Sequence, residues 1–155
     1  MADRRQDLIA SAGRAMQAYQ RSTQAFDDEV GRLLGLNPTD LRGLDWLNEG
    51  PLTASRLAEA AGLSAAATTA MIDRLEAKGY VRRLRDQADR RRVVVEMTDA
   101  GHARSWALYG PLVEEGMTQF DGFETGELAL MRDQLVAMRE LTDRHRERLK
   151  ATPGG

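Results

Sequence analysis

The chain has 155 residues, of which 42% are hydrophobic and 30% are charged, and its formal net charge is −2. These values predict a folded domain and exclude a disordered chain. The chain has no cysteine, which excludes disulfides, thiolate metal sites and thiol-based redox switches. No apolar run is long enough for a signal peptide or a membrane-spanning helix, so we expect a cytoplasmic protein.

Two helices are predicted in the first third of the chain. Residues 4–34 place apolar or small side chains at steps of three and four, a spacing typical of a helix that packs against other helices, including those of a partner chain. Gly35 is expected to end this helix. Asn37 is expected to cap the second helix, which has Pro38 in its first turn and ends near Gly50.

A helix-turn-helix pattern occupies the middle of the chain. We expect Thr53 to cap a third helix that ends at Gly62, and Ser64 to cap a fourth that ends at Gly79. The spacing i, i+3, i+4, i+7 predicts the buried face of the fourth helix. This face consists of Thr68, Met71, Ile72 and Leu75.

Two β-strands are predicted directly after the fourth helix. They cover residues 80–85 and 92–97, and a polar loop over residues 86–91 joins them. Alternation along the second strand predicts Val93, Val95 and Met97 on one face. The order of these elements predicts a winged helix-turn-helix lobe over about residues 37–98, which is a shape suited to DNA.

The remaining sequence predicts two further helices. The fifth begins at Thr98-Asp99, has a kink at Gly110-Pro111 and continues to about Phe120, because proline lacks the amide donor that a straight helix needs. The sixth covers residues 125–149 and carries an apolar stripe. This stripe consists of Leu128, Met131, Leu135, Met138 and Leu141.

The predicted fold is therefore mainly α with a small β-hairpin wing, in a single domain over residues 1–155. We expect the helices at about 4–34 and 99–149 to mediate dimerisation, and the tail 151–155 to be disordered.

Positive charge is concentrated around the fourth helix and the wing. Residues 73–92 contain eight basic and four acidic side chains, a net charge of +4 in a chain whose total is −2. The rest of the chain is therefore acidic. The basic segment, residues 73–92, coincides with the region in which a DNA-binding surface is predicted. The simpler interpretation is a solvated hairpin that is rich in arginine.

The expected DNA-binding residues fall into three groups. Small side chains on the outward face of the fourth helix let its backbone approach the base edges of the major groove. Hydroxyls near helix starts can bind phosphate as well as cap the helices. In the wing loop, Arg90 and Arg91 can enter a minor groove while Asp89 braces an arginine. The first group is Ala65, Ala66, Thr69, Ala70 and Asp73, and the second is Thr53, Ser55, Ser64 and Thr69.

Several motifs at fixed spacing resemble the multiple antibiotic resistance regulator (MarR) family of winged-helix transcription factors. DRLE at residues 73–76 and KGYV at 78–81 end the fourth helix. DRR at 89–91 lies in the wing loop, and TDAG at 98–101 opens the fifth helix. The segment LTASRLAEAAGLS at 52–64 and the six-helix order, which covers nearly the whole chain, also resemble this family.

The resemblance implies a homodimer built from the first, fifth and sixth helices. It also implies binding to a pseudo-palindromic operator, usually as a repressor that a small ligand releases. The family's Asp-x-Arg wing pattern, in which the arginine enters the minor groove, carries over to Asp89 and Arg91. Arg74 matches a position that contacts phosphate or ties the helix to the wing. Ala70 stands where some relatives have a base-reading arginine, so a different operator sequence is expected.

A small aromatic or phenolic effector is the ligand class that the resemblance implies, bound between the dimer helices and the DNA-binding lobe. Aromatic, acidic and histidine side chains of the first, second and fifth helices are candidates for contacting such a ligand. They are Tyr19, Asp45, Trp46, His102 and Trp106. The alternative is that the two tryptophans belong to the core and that His102 is an ordinary surface residue.

A basic wing beside a small-residue helix leads us to interpret the chain as a sequence-specific transcriptional regulator. The alternative is a winged-helix module for protein–protein docking without specific DNA binding. His102 and His145 are the two histidines of the sequence, and they match no metal-binding spacing. No phosphate-binding glycine loop or nucleophile elbow is present, so we expect no enzymatic activity, no metal and no cofactor.

Overall fold

The computed structural model of the protein describes residues 2–85 and 92–152, with side chains from residue 4 onward. The elements in chain order are α1 (Ala2–Leu34), α2 (Pro38–Asn48), β1 (Leu52–Thr53), α3 (Ala54–Ala61), α4 (Ala65–Ala77), β2 (Val81–Arg85), β3 (Val93–Met97), α5 (Asp99–Thr118) and α6 (Thr125–Lys150). The predicted fold class, mainly helical with a small β wing, is confirmed.

The three predicted N-caps of the central helices are confirmed. The Asn37 side chain accepts a hydrogen bond from the Asp40 amide at 2.8 Å and begins α2. Thr53 does the same for α3 and Ser64 for α4, at 3.3 Å and 3.2 Å respectively. Local side-chain chemistry therefore sets where these helices begin.

The sheet has three antiparallel strands in the order β1-β3-β2, whereas the sequence predicted two strands. The additional strand, β1, pairs Leu52 with Val95 and Thr53 with Val94. Sequence reasoning missed it because two residues are too few to show an alternating pattern. Its effect is to attach the start of α3 to the wing strand β3.

The core of the lobe lies between α2, α3, α4 and the sheet. Leu57, Met71, Leu75 and Val95 are each at most 1% exposed. The predicted buried face of α4 is confirmed, since all four of its residues are buried. On the face of β3 predicted to hold Val93, Val95 and Met97, the last two are buried, whereas Val93 is exposed. It pairs with Arg85 at the far end of the hairpin, where no helix covers the sheet.

The chain divides into two compact units, the first ending at Gly110 and the second beginning at Pro111. α5 continues as a helix through Pro111 to Thr118, and the boundary falls at this proline. In the second unit α6 contains no buried residue. Ala151 and Thr152 still hydrogen-bond to the last turn of α6, and residues 153–155 lie outside the described part of the chain.

Candidate nucleic-acid interface

The outward face of α4 is exposed along its whole length, and we call it the recognition face. It consists of Ala65, Ala66, Thr69, Ala70 and Asp73. The Thr69 hydroxyl donates its hydrogen to the Ala65 carbonyl at 3.0 Å, which leaves oxygen lone pairs and a methyl group to face outward. Such a side chain can accept a hydrogen bond from a base amino group or contact a thymine methyl.

The hydroxyls at the starts of α3 and α4 are placed as caps, as the sequence predicts. Thr53 Oγ1 and Ser55 Oγ lie 3.1 Å apart on the first turn of α3. Ser64 is exposed at the start of α4. Amide groups in the first turn of a helix lack intrahelical partners, and the helix dipole favours an anion there. Both helix starts can therefore bind phosphate without losing their caps.

In the described part of the chain, Arg74 ties α4 to α2. Its Nε lies 3.2 Å from both Asp40 carboxylate oxygens, and its Nη2 lies 2.6 Å from Asp40 Oδ1. The hydrogen bond to Asp40 raises the pKa of the Arg74 guanidinium. Asp40 is 1% exposed, whereas 42% of the Arg74 side chain remains exposed. The pair therefore fixes the recognition helix to α2 before any phosphate contact is made.

Among the described residues, Arg83 of β2 ties the recognition helix to the wing, a contact that sequence reasoning missed. Its guanidinium donates to Asp73 and to Glu76, both on α4. Its backbone amide also donates to Glu76 Oε1 at 3.2 Å. Hydrogen bonding to Asp73, followed by the effects of Glu76, raises the pKa of Arg83. Carboxylates three residues apart on a helix, followed by an arginine in the next strand, are the signal that could have found it.

The wing itself is described up to its two strand ends. Arg82 of β2 pairs with Glu96 of β3, with Nη2 and Oε1 2.6 Å apart. The predicted minor-groove residues Asp89, Arg90 and Arg91 lie outside the described residues. Their roles therefore remain predictions from the sequence.

The turn after α4 joins the recognition helix to both α1 and α5. The Lys78 ammonium donates to the Gly35 carbonyl, and the Tyr80 hydroxyl donates to the Leu34 carbonyl at 3.0 Å. Arg104 of α5 lies over the Tyr80 ring at 5.3 Å and donates to the Lys78 carbonyl at 3.1 Å. The end of the recognition helix is thus fixed by contacts from two long helices.

Two glycines make this junction possible. Gly79 has a φ of +75°, a conformation that side chains with a Cβ rarely adopt. Gly101 lies on the first turn of α5, and a Cβ built there would be 2.3 Å from the Tyr80 carbonyl oxygen. Thr98 also donates to the Gly79 carbonyl at 2.7 Å. The start of α5 therefore packs directly on the backbone that follows the recognition helix.

A cavity of about 720 Å³ lies between α1, α2 and α5, within the first unit. Its lining includes three carboxylates, two arginines and a phenol, namely Asp27, Asp28, Asp45, Arg32, Arg42 and Tyr109. Arg32 is paired with Glu29, so its charge is already partly neutralised. In the described part of the chain, no cluster of acidic, histidine or cysteine side chains is arranged to hold a metal ion.

Of the five predicted ligand contacts, only Asp45 lines this cavity. Trp46 packs against the lobe core, as the alternative interpretation expected. Tyr19, His102 and Trp106 are exposed elsewhere on the surface. The structure therefore does not bring the five residues together, since one lines the cavity, one packs against the core and three lie on exposed surface.

The cavity lining perturbs two of its ionisable groups. Burial, followed by the nearby carboxylates Asp27 and Glu49, raises the pKa of Asp45. Burial and a 2.8 Å hydrogen bond to Asp27 raise the pKa of Tyr109, which keeps this phenol protonated as a donor. The ring of Tyr109 also packs edge-on against Phe26 at 5.5 Å. The lining is thus acidic, with an aromatic wall.

No helix in the described part of the chain is long and apolar enough to cross a membrane. The family model that matches residues 36–93 is that of the MarR family. An uncharacterized helix-turn-helix transcriptional regulator of Bacillus subtilis, YcgE, is 37% identical to the chain over 147 residues, which cover 94% of this chain and 96% of YcgE.

Two solved structures show the same architecture. The transcriptional regulator BldR of Sulfolobus solfataricus is 30% identical with a TM-score of 0.53, and the match covers 85% of this chain and 96% of BldR. A MepR variant of S. aureus bound to an oligodeoxyribonucleotide is similar in fold, with 19% identity, a TM-score of 0.56 and coverage of 82% and 94%. The chain therefore belongs to the MarR family of DNA-binding transcriptional regulators.

Proposed function

We propose that the protein is a ligand-responsive repressor that binds a pseudo-palindromic operator as a homodimer in the cytoplasm. The observation that carries this proposal is the recognition face of α4. Its five side chains are exposed and small or short, and the wing strand β2 is attached beside it through Arg83. A helix with such a face can lie close to base edges while an adjacent wing reaches the neighbouring groove.

The same surface supports the proposed contacts of each lobe. Ala65, Ala66, Thr69 and Ala70 would face the major groove, and the hydroxyls of Thr53, Ser55 and Ser64 would lie near phosphates. Arg90 and Arg91 would enter the minor groove, with Asp89 as their brace. The structure favours a role for Arg74 in holding α4 against α2, with at most a secondary phosphate contact.

The proposed dimer accounts for apolar side chains that the described chain does not cover. Leu135 and Leu141 of α6 are each 49% exposed, and Leu8 and Ile9 of α1 are exposed as well. Exposed apolar surface costs about 25 cal/mol per Å², which favours its burial in a partner. A two-fold dimer would present two recognition helices roughly 34 Å apart, one turn of DNA, to two half-sites.

We place the effector in the cavity between α1, α2 and α5. An aromatic acid would bring a further negative charge beside Asp27, Asp28 and Asp45, which like-charge repulsion disfavours. A neutral phenol or a cationic aromatic compound suits this lining better.

Benzylamine and benzoate carry the same ring with opposite charges, so we expect benzylamine to raise the melting temperature of the protein and benzoate to leave it unchanged. A larger shift with benzoate would contradict this assignment.

The DNA-binding proposal is tested by fluorescence anisotropy and footprinting with fragments of genomic DNA. We expect two protected half-sites on one side of the duplex and affinity that falls as salt rises. Ala66→Glu places a carboxylate on the recognition face and should weaken binding at least about tenfold, since like charges in an interface cost several kcal/mol. Gly126→Glu adds the same negative charge on α6, where a Cβ meets no atom within 4 Å, and should leave affinity unchanged.

The wing prediction needs its own matched pair. Arg91→Ala should weaken binding more than Arg85→Ala and should reduce the preference for A·T-rich flanks, although each variant removes one positive charge. Protection of a single half-site, or the absence of salt-dependent DNA binding, would contradict the proposed function. The second of these results would favour the alternative of a protein-docking module.

A further inference from the structure

We infer that Arg83 is a positioning residue for DNA binding, which acts by fixing the wing relative to the recognition face. This inference rests on the proposed placement of α4 and the wing on DNA. Arg83, Asp73 and Glu76 together form what we call the wing clamp. Arg83 is a cation on the DNA-binding lobe, and a simple interpretation of such a residue is a phosphate contact. The geometry points to a different role.

The first argument is the number of bonds that hold this one residue. The Arg83 guanidinium donates to two carboxylates of α4, and its backbone amide donates to Glu76 at 3.2 Å. Glu76 therefore holds both the side chain and the main chain of β2 at the same point. Planar guanidinium donors that meet two carboxylates fix direction as well as distance.

The second argument is charge. The wing clamp contains one cation and two carboxylates, so its net charge is −1. A group of this charge repels phosphate and cannot contribute to attraction for DNA as a unit. Asp73 even lies on the recognition face itself. Two carboxylates on this side of the lobe are therefore explained by what they hold in place, and not by attraction to DNA.

The third argument is the position of Arg83 along the hairpin. Arg83 pairs with the buried Val95, which also pairs with Leu52 of β1, so this register is the centre of the sheet. Among the described residues beyond it, Leu84, Arg85, Arg92 and Val93 are exposed, and Val94 is half-buried and pairs with Thr53 of β1. None of these outer residues is buried in the core. The wing clamp is the outermost described point at which β2 is tied to α4.

It follows that the direction of the wing depends on the wing clamp. A small rotation at its base moves the tip of a hairpin by a larger distance, so loss of these bonds should displace the tip from its groove. Lysine cannot replace Arg83, because a single ammonium lacks the fork that reaches both carboxylates. A phosphate contact, by contrast, would tolerate lysine.

The test measures operator affinity at several salt concentrations for Arg83→Ala, Arg83→Lys and Glu76→Ala. We expect each variant to weaken binding roughly tenfold, a size typical of residues that act as a contact network. Displacing the wing tip should also reduce the preference for A·T-rich flanks, as in Arg91→Ala. Loss of a phosphate contact at Arg83 alone would change only the slope of log K against log salt, by about 0.9. Glu76→Ala removes a negative charge near DNA, so weaker binding by this variant is opposite in sign to simple electrostatics.

The double variant Arg83→Ala/Glu76→Ala should bind no more weakly than Arg83→Ala alone, because both changes break one unit. Arg82→Ala, which breaks the neighbouring pair with Glu96, is the control and should have a smaller effect. Circular dichroism establishes that each variant is folded. If Arg83→Ala does not fold, Arg83→Lys, which keeps the positive charge, is measured in its place.

Normal affinity of Arg83→Lys, or tighter binding by Glu76→Ala, would overturn the inference while leaving the proposed function intact. A wild-type protein without affinity for DNA would instead contradict the proposed function, and the positioning role would be lost with it.

Discussion

The winged-helix lobe and α6 use their apolar side chains in different ways. In the lobe, residues such as Leu57, Met71 and Leu75 are completely buried by other elements of the same chain. In α6 no residue is buried, and its apolar stripe lies half exposed. The lobe is therefore complete in one chain. The long terminal helix has the composition of a packed helix without, in the described part of the chain, the surface that would cover it.

This difference indicates that the lobe is stabilised by contacts within one chain, whereas α6 needs contacts with a partner chain. The lobe depends on contacts that form when the chain folds, so its stability should not depend on protein concentration. The proposed dimer helices depend on association, so their stability should depend on concentration. Substitutions in the two regions should therefore give different kinds of defect, which the following variants separate.

The largest effect is expected from Leu135→Glu in the stripe of α6. A charge at the centre of the proposed interface should dissociate the dimer, lower the melting temperature and abolish operator binding, because buried unpaired charges are very costly. Light scattering should change from twice the 17.2 kDa chain mass to one chain mass. Gly126→Glu lies on the side of α6 opposite Leu135, where a Cβ meets no atom within 4 Å, and should remain dimeric. Dimerisation of Leu135→Glu at wild-type strength would show that the stripe is not the interface.

The next largest effect is expected inside the lobe, at the pair formed by Arg74 and Asp40. Arg74→Ala leaves the buried Asp40 carboxylate without its partner and should clearly lower the free energy of unfolding, because an unpaired buried charge is costly. Asp40→Asn should cost clearly less, because the half-exposed Arg74 can be hydrated. Chemical denaturation measures both values at any protein concentration. If Arg74→Ala changes only DNA affinity and its salt dependence, the arginine is a phosphate contact and not a structural tie.

A smaller effect is expected at the junction between the lobe and α5. Gly101→Ala forces a Cβ against the Tyr80 carbonyl and should destabilise the protein by about 2 kcal/mol, the usual range for overpacking. Gly126→Ala, in α6, meets no atom within 4 Å and should be neutral or stabilise by roughly 0.5–1 kcal/mol. Thermal unfolding of both variants at one concentration compares them. Equal melting temperatures would mean that α5 can shift away from Tyr80 at no cost.

The smallest effect is expected at Asp45, in the cavity. Because its pKa is raised in the folded protein, the folded state holds this proton more tightly than the unfolded chain does. The free energy of unfolding therefore falls as the pH rises from the pKa of Asp45 in the unfolded chain through its higher pKa in the folded protein. This loss of stability is present at neutral pH. Asp45→Asn should raise the melting temperature slightly at pH 7 and flatten this pH dependence. A lower melting temperature at pH 7 would show that the carboxylate has a favourable partner.

The helices could be predicted from the sequence because their signals are local. Asn37, Thr53 and Ser64 each cap a helix by accepting a hydrogen bond from the backbone amide three residues further along the chain. The buried face of α4 follows from apolar residues spaced three and four positions apart. The basic segment around α4 and the wing is likewise visible in the sequence. These features identify a winged-helix regulator without any knowledge of how the helices pack.

The remaining features depend on residues that only folding brings together. Asp40 and Arg74 are 34 residues apart, and Tyr109 and Asp27 are 82 apart. Strand β1 has two residues and exists because β3 offers a free edge. The predicted ligand residues did not converge, because helical spacing gives the face of a helix but not what lies opposite it. The sequence by itself determined the helices, the two wing strands and their order, since capping and periodicity are short-range effects. The tertiary structure decided which charges are paired and where the cavity lies, since these depend on distances between helices that no local pattern encodes.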